Sequence, residues 1–304
     1  MSKLSREEFL ARRKSGIGGS DVAAVMGVSP WKTPYQLWLD KLSPVTEEPE
    51  NDILHFGNVL EDIVAKEYAR RNNVKVQRRN QMYRKQDAPE LIVNIDRYVI
   101  GGKILECKTC SAYASSKFGV PGSSDIPDYY YLQCLHAQHV TGILECDLAA
   151  LIGGNEYREF FVEYDKSLAG HVAAKCSEFW HKYVSTKIPP PATAQDNLAE
   201  YFIANGEKKL APERIKNFIN EYKNLKSQER ELKDQMENVS AEIKLFTGEA
   251  EYLVDECGGI LATWKKGKDR ATVDWKALAA AHNITADEIL EFTNYSTNRL
   301  LAVK

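Results

Sequence analysis

Apolar and polar positions alternate along this chain with two different periods. Helical spacing predicts short helices over about 5–14, 20–26 and 33–42, and a longer one over about 54–72 whose inner stripe is Leu60, Ile63, Val64 and Tyr68. Strand-like runs follow at 74–78, 80–85, 91–99 and 103–109. Another helix is expected to start after Pro127 and stop before Gly142, and strands at 144–152 and 157–164 flank the turn Gly153-Gly154-Asn155. Ser20 stands where an N-cap belongs, with Asp21 adding negative charge to the first turn. The expected order is helix, several antiparallel strands, helix, strand, which is an α/β (α+β) domain.

The pattern changes at Pro189-Pro190-Pro191, a run that forbids regular structure. Beyond it, Ile215, Phe218, Tyr222, Leu225, Leu232, Met236, Val239, Ile243 and Phe246 step by threes and fours, with Glu229 filling the one seven-residue gap. A long helix over 210–247 with a coiled-coil-like stripe follows from that spacing, lying along its own domain or a neighbouring subunit. A strand over 258–264 and a short helix around 275–281 come next. Two regions are therefore expected: a domain over 1–190, and an extension over 191–304 suited to assembly or partner contacts.

Composition narrows the class. The 304 residues are 43% hydrophobic and 27% charged with a formal net charge of −3, which describes an ordinary soluble globular protein rather than a fibrous, disordered or disulfide-stapled one. No apolar run approaches the roughly 20 residues needed to span a bilayer. The charged start, MSKLSREEFLARR, carries no signal or transit pattern, so a cytoplasmic location without membrane contact is expected. Among six cysteines only Cys107 and Cys110 are close in sequence, and no second pair completes a metal site, so reduced and mostly buried thiols are expected. His136 and His139 share a helix but lack further ligands, and read as packed or solvated. Near-neutral charge argues against nonspecific coating of nucleic acid while leaving room for a local basic groove.

The segment from Leu91 to Lys108 carries the chemistry. Two apolar runs meet at Gly101-Gly102, residues able to take the positive φ of a tight hairpin. A turn centred near residue 101 places Asp96 opposite Glu106, and alternation adds Lys108 to the same face while Leu105 and Cys107 take the other. Crowded carboxylates repel unless a cation sits between them, and oxygen ligands of this kind suit Mg²⁺ or Mn²⁺. A neighbouring lysine able to orient or deprotonate water completes the equipment for phosphodiester hydrolysis. The same spacing also suits a surface salt-bridge ladder in which Lys108 pairs with Asp96 or Glu106.

Asp96 followed by Glu106-Cys107-Lys108 resembles the PD-(D/E)xK nuclease signature. Three further segments resemble the YqaJ-like viral recombinase, or lambda-type exonuclease, family: Arg13-Lys14-Ser15-Gly16-Ile17-Gly18-Gly19-Ser20-Asp21, Phe56-Gly57-Asn58-Val59-Leu60-Glu61, and Pro127-Asp128-Tyr129-Tyr130-Tyr131-Leu132-Gln133. All four stand in family order over residues 12–150. The resemblance implies a restriction-endonuclease-like core, a mixed central sheet flanked by helices, with a C-terminal helical/β extension. It implies a Mg²⁺-dependent exonuclease (Mn²⁺ a possible substitute) degrading double-stranded DNA ends from 5′ to 3′. Asp96, Glu106 and the Cys107 carbonyl would hold the metal, with Glu61, Lys108 and Gln133 completing the catalytic set. Arg13 and Ser20 would hold the 5′-phosphate, and Tyr130 would contact DNA by stacking.

The resemblance further implies a ring-shaped homotrimer in a bacterial host cell, belonging to a phage recombination system and working with a single-strand annealing protein. From the residues alone, Glu61 is also an ordinary helix former, Gln133 and Tyr130 an amphipathic helix face, and Arg13 and Ser20 a solvated arginine and a cap. An endonuclease of restriction or repair type and a non-catalytic DNA-end-binding protein remain as alternatives.

Overall fold

A computed structural model describes residues 6–44, 51–202, 204–267, 272, 274–282, 284–293 and 301–303. The chain divides into two compact units, 1–197 and 198–304.

In the first unit the order is α1 (Arg6–Lys14), α2 (Gly19–Val25), α3 (Pro34–Leu42), α4 (Asp52–Asn72), β1 (Val76–Gln77), β2 (Tyr83–Arg84), β3 (Ile92–Val93), β4 (Arg97–Val99), β5 (Lys103–Cys110), α5 (Asp128–Thr141), β6 (Glu145–Ile152), β7 (Glu156–Val162) and α6 (Lys166–Phe179). A 3₁₀ turn covers Ala112–Lys117, and one π turn, Trp180–Val184, extends α6. The central sheet runs β1-β4-β5-β6-β7 and is mixed: β5 and β6 are parallel, and the other neighbours are antiparallel. Helices cover both faces. Val64, Ala65 and Tyr68 of α4 pack with Val99, Leu105, Cys107 and Ala149 on one face. On the other, Val22 of α2 and Leu132, Cys134 and Ala137 of α5 join Ile104, Leu148 and Ala150.

The hairpin forms in the expected register. Arg97 pairs with Leu105, Tyr98 with Ile104 and Val99 with Lys103, and Gly101 and Gly102 turn the chain at φ +126° and +114°. Several expectations need correction. The run 91–99 is two strands: Ile92–Val93 pairs with β2 in a separate two-stranded sheet, and the chain bends at Asp96 before β4 begins. The inner face of α4 uses Ala65 in place of Ile63, which is exposed. Ser20 is not the cap of α2. Gly18 is, and Asp21 closes the first turn by accepting the Gly18 N–H at 2.8 Å. Helix α6 was not among the expected elements, although Asp165 caps it and Val172, Cys176 and Phe179 bury one face.

The second unit holds α7 (Leu198–Tyr201), α8 (Glu213–Thr247), the antiparallel hairpin β8 (Tyr252–Val254) and β9 (Ile260–Thr263), α9 (Trp275–Ala281) and α10 (Ala286–Glu291). Among the described residues no helix is long and apolar enough to cross a membrane.

Candidate active site

A cleft of about 430 Å³ opens where β3, the bend before β4, and β5 meet α1, α2, α4 and α5. Arg13, Ser20, Glu61, Asp96, Glu106, Cys107, Lys108 and Gln133 all line it. They come from four separate parts of the first 133 residues.

The hairpin sets the centre. Extending its register by one residue brings Asp96 opposite Glu106, and the Cys107 N–H donates to Asp96 Oδ2 at 2.9 Å. Glu106 is 2% exposed, yet its charge is answered: Lys108 Nζ lies 2.7 Å from Oε1, and the Gln133 side-chain amide donates to the same oxygen. Gln133 also accepts from Lys108 Nζ at 3.1 Å, so one amide on α5 clamps both side chains. Burial together with the charge of Glu106 pushes the Asp96 carboxyl up to about 8, against the pull of Lys108. The same two carboxylates outweigh desolvation at Lys108 and hold its ammonium well above the usual lysine range. Beside these two carboxylates the lysine is a cation held in place by Glu106 and Gln133.

Glu61 reaches the cleft from α4, on the opposite face of the sheet, and its carboxylate is already engaged. Arg97 Nη1 donates to Glu61 Oε1 at 2.5 Å while Nη2 reaches Asp62 Oδ1 at 3.1 Å, and Arg78 Nη2 stands 3.4 Å from Glu61 Oε1. Arg97 is itself buried at 3% exposure, follows Asp96 directly, and donates to the Asp96 carbonyl oxygen. Sequence reasoning passed over Arg97. The signal was its place in the strand alternation, one residue out of phase with the carboxylates.

At the other end of the cleft, Arg13 Nη2 donates to Ser20 Oγ at 2.9 Å. Behind them lies a nearly dry ion pair, Lys41 Nζ to Asp21 Oδ2 at 2.6 Å, with Lys41 also donating to the Arg13 carbonyl oxygen at 2.9 Å. That pair ties the end of α1 to the start of α2, fixing the span that carries Arg13 and Ser20.

Tyr130 does not line the cleft. Its ring packs against Phe118 and Trp31, its hydroxyl lies 3.6 Å from Cys110 Sγ, and the Lys108 ammonium stands 5.2 Å from its ring centroid. Its place is a packing position behind Lys108 rather than an open stacking surface. His136 is buried with Nε2 3.0 Å from the Ile92 carbonyl oxygen, and His139 Nδ1 lies 3.1 Å from the Tyr164 hydroxyl, so neither is placed as a cleft ligand.

The donor set fits a small hard cation. Asp96 and Glu106 offer carboxylate oxygens, no imidazole lines the cleft, and the raised Asp96 carboxyl marks a place short of positive charge. Among the described residues no group of three or more His, Cys, Asp and Glu side chains is placed to hold a metal ion. Two carboxylates match the way Mg²⁺ binds, since it keeps several waters and takes one or two carboxylates from protein.

The chain has relatives. The model of the YqaJ-like viral recombinase domain matches residues 8–144, a stretch that contains every cleft residue named above. Protein YqaJ of Bacillus subtilis (strain 168) is 35% identical over 277 residues, covering 87% of this chain and 84% of that protein. The chain belongs to the YqaJ family. Protein R354 of Acanthamoeba polyphaga mimivirus is 27% identical over 151 residues, 46% of this YqaJ-family chain and 28% of the viral one. Among solved structures, an alkaline exonuclease from Laribacter hongkongensis gives a TM-score of 0.49 at 19% identity, covering 60% of this chain and 94% of that one.

Proposed function

We propose that this YqaJ-family protein is a Mg²⁺-dependent DNA exonuclease of phage type. In this reading it degrades one strand of a double-stranded end from 5′ to 3′, releases 5′-mononucleotides, and leaves a 3′ single strand for recombination by annealing. The observation that carries the reading is the convergence of Asp96, Glu106, Lys108 and Gln133 on one cleft that also receives Arg13 and Ser20. A solvated salt-bridge ladder is a poor account of it, because Glu106 is buried and its partners come from two different elements.

Asp96, Glu106 and the Cys107 carbonyl would hold the cation, which when bound neutralises phosphodiester charge and acts as a Lewis acid. Lys108 stays charged, aligns a water against phosphorus and steadies negative charge as it develops there. Gln133 fixes Lys108 and Glu106 relative to each other, so that neither side chain must reorganise during reaction. Arg13, held to Ser20, presents a guanidinium suited to a terminal 5′-phosphate. Glu61 takes a supporting place through Arg97. By analogy with the family, the working assembly is a trimeric ring on DNA, serving a single-strand annealing protein in a bacterial cytoplasm, with Mn²⁺ able to replace Mg²⁺.

The test uses linear 5′-phosphorylated duplex and covalently closed circular DNA with Mg²⁺. Mononucleotide release from the linear substrate alone, abolished by Asp96→Asn, is expected. Cutting of the closed circle would instead establish an endonuclease. End binding without cleavage in any divalent metal would leave only a binding protein.

A further inference from the structure

Helix α8 runs for 35 residues, about 52 Å at 1.5 Å per residue, with an apolar seam that no described residue of its own unit covers over most of its length. Written as heptads, Ile215, Tyr222, Glu229 and Met236 occupy the a positions, and Phe218, Leu225, Leu232 and Val239 the d positions. The seven apolar members are 37–72% exposed. From Ser240 onward the helix borders the β8–β9 hairpin through Ile243, Lys244 and Thr247, so the bare seam is 215–239. A strict 3.5-residue repeat over this length is the signature of supercoiled helices. A helix buried against a globular domain drifts off such a repeat by about 20° per heptad.

Two quantities identify the occupant. Taking about 170 Å² for each large side chain at the observed exposures, one copy offers on the order of 600 Å² of seam. That approaches the roughly 800 Å² per partner of a stable interface. The flanking charges then choose between copies and orientations. In a parallel, in-register pair, Glu221 (g) meets Lys226 (e) of a second copy on both sides, and the remaining g–e couples are Arg214–Ile219, Gln228–Lys233 and Gln235–Ser240, none of them like-charged. In the antiparallel pairing that overlaps the same span, Lys226 faces its own counterpart. We infer that α8 is a homotypic coiled-coil strand that pairs in parallel with the α8 of a second copy of this chain.

Glu229 sets the register. In the in-register parallel pair it meets the Glu229 of the second copy, a layer that lowers stability, whereas a one-heptad slip would set each of the two carboxylates against tyrosine or methionine. Its charge is partly answered within the chain by Lys226 Nζ at 2.7 Å.

The test uses the full chain with Cys257, the exposed cysteine, replaced by serine. Leu232→Cys at a d position is expected to form an inter-copy disulfide under mild oxidation, and Asp234→Cys, on the outer face, is not. Glu229→Leu should tighten association at least tenfold by sedimentation equilibrium. Leu225→Glu should remove the disulfide from the Leu232→Cys protein, and Glu221→Lys should weaken it, with recovery in Glu221→Lys/Lys226→Glu. Absence of the 232 disulfide while circular dichroism shows the helix intact overturns the inference. So does crosslinking only between mixed Tyr222→Cys and Leu232→Cys proteins, which reports antiparallel pairing. Because the disulfide reads α8 proximity directly, copies held together through the nuclease unit alone would not produce it.

Discussion

His136 offers a quantitative test of how the floor of the cleft is built. Its ring is 2% exposed and donates from Nε2 to the Ile92 carbonyl oxygen, pinning α5 to β3 one helical turn from Gln133. Burial lowers its pKa to about 4, only partly offset by the Ile92 hydrogen bond and the charge of Asp21. In the unfolded chain the imidazole titrates near its ordinary 6.5. Between those values the unfolded state takes up a proton that the folded state refuses, so stability falls as pH drops through 6.5 and the loss levels off below 4. At about 1.4 kcal/mol per unit, this amounts to about 2 kcal/mol at pH 5 and about 3 kcal/mol at pH 4. His136→Gln keeps an N–H for Ile92 without a titrating ring. Urea unfolding at pH 7, 6 and 5 should show the variant weaker than the parent at pH 7 and the gap narrowing, or reversing, by pH 5. An acid slope unchanged in the variant, or a folded-state imidazole seen by NMR to titrate near 6.5, would refute the reasoning.

Lys108→Arg keeps the cation beside Glu106 but replaces a point charge with a rigid fork, and DNA cleavage should fall about 10²-fold or more while the fold persists. Turnover within threefold of the parent would remove Lys108 from the chemistry. Gly16→Ala would put a Cβ 2.3 Å from the Glu90 carbonyl oxygen, disturbing the bridge between Ile17 and Leu91. A loss of about 2 kcal/mol in chemical denaturation is expected, and a neutral result would show that this crossing is soft. Arg13→Ala should erode the preference for 5′-phosphorylated over 5′-hydroxyl duplex ends about tenfold, leaving cleavage of 5′-hydroxyl ends nearly unchanged. An equal loss on both substrates would assign Arg13 to general DNA contact.

The centre of the site was legible because its contacts are local. A glycine pair, two-residue alternation and a ten-residue separation suffice to face Asp96 with Glu106, and the hairpin register follows that arithmetic. What could not be read is what depends on distant partners. The parallel pairing of β5 with β6 is set across the intervening α5, and nothing in either strand distinguishes parallel from antiparallel neighbours. The break at Asp96 is similar. Ile92, Val93 and Ile95 are all buried, so the run looks continuous, yet β3 and β4 are claimed by different sheets. On α4 hydrophobicity misled, since the sheet leaves room for the small Ala65 and turns Ile63 outward. Arg97 is the sharpest case. A charged residue in an apolar strand reads as solvent-facing, but it is buried because Glu61 and Asp62 arrive from a helix 35 residues upstream to receive it. With one arginine bonded to both the Asp96 main chain and the Glu61 carboxylate, the two sheet faces are mechanically joined at the cleft. A change at Glu61 is therefore felt at Asp96 through Arg97 as well as through charge.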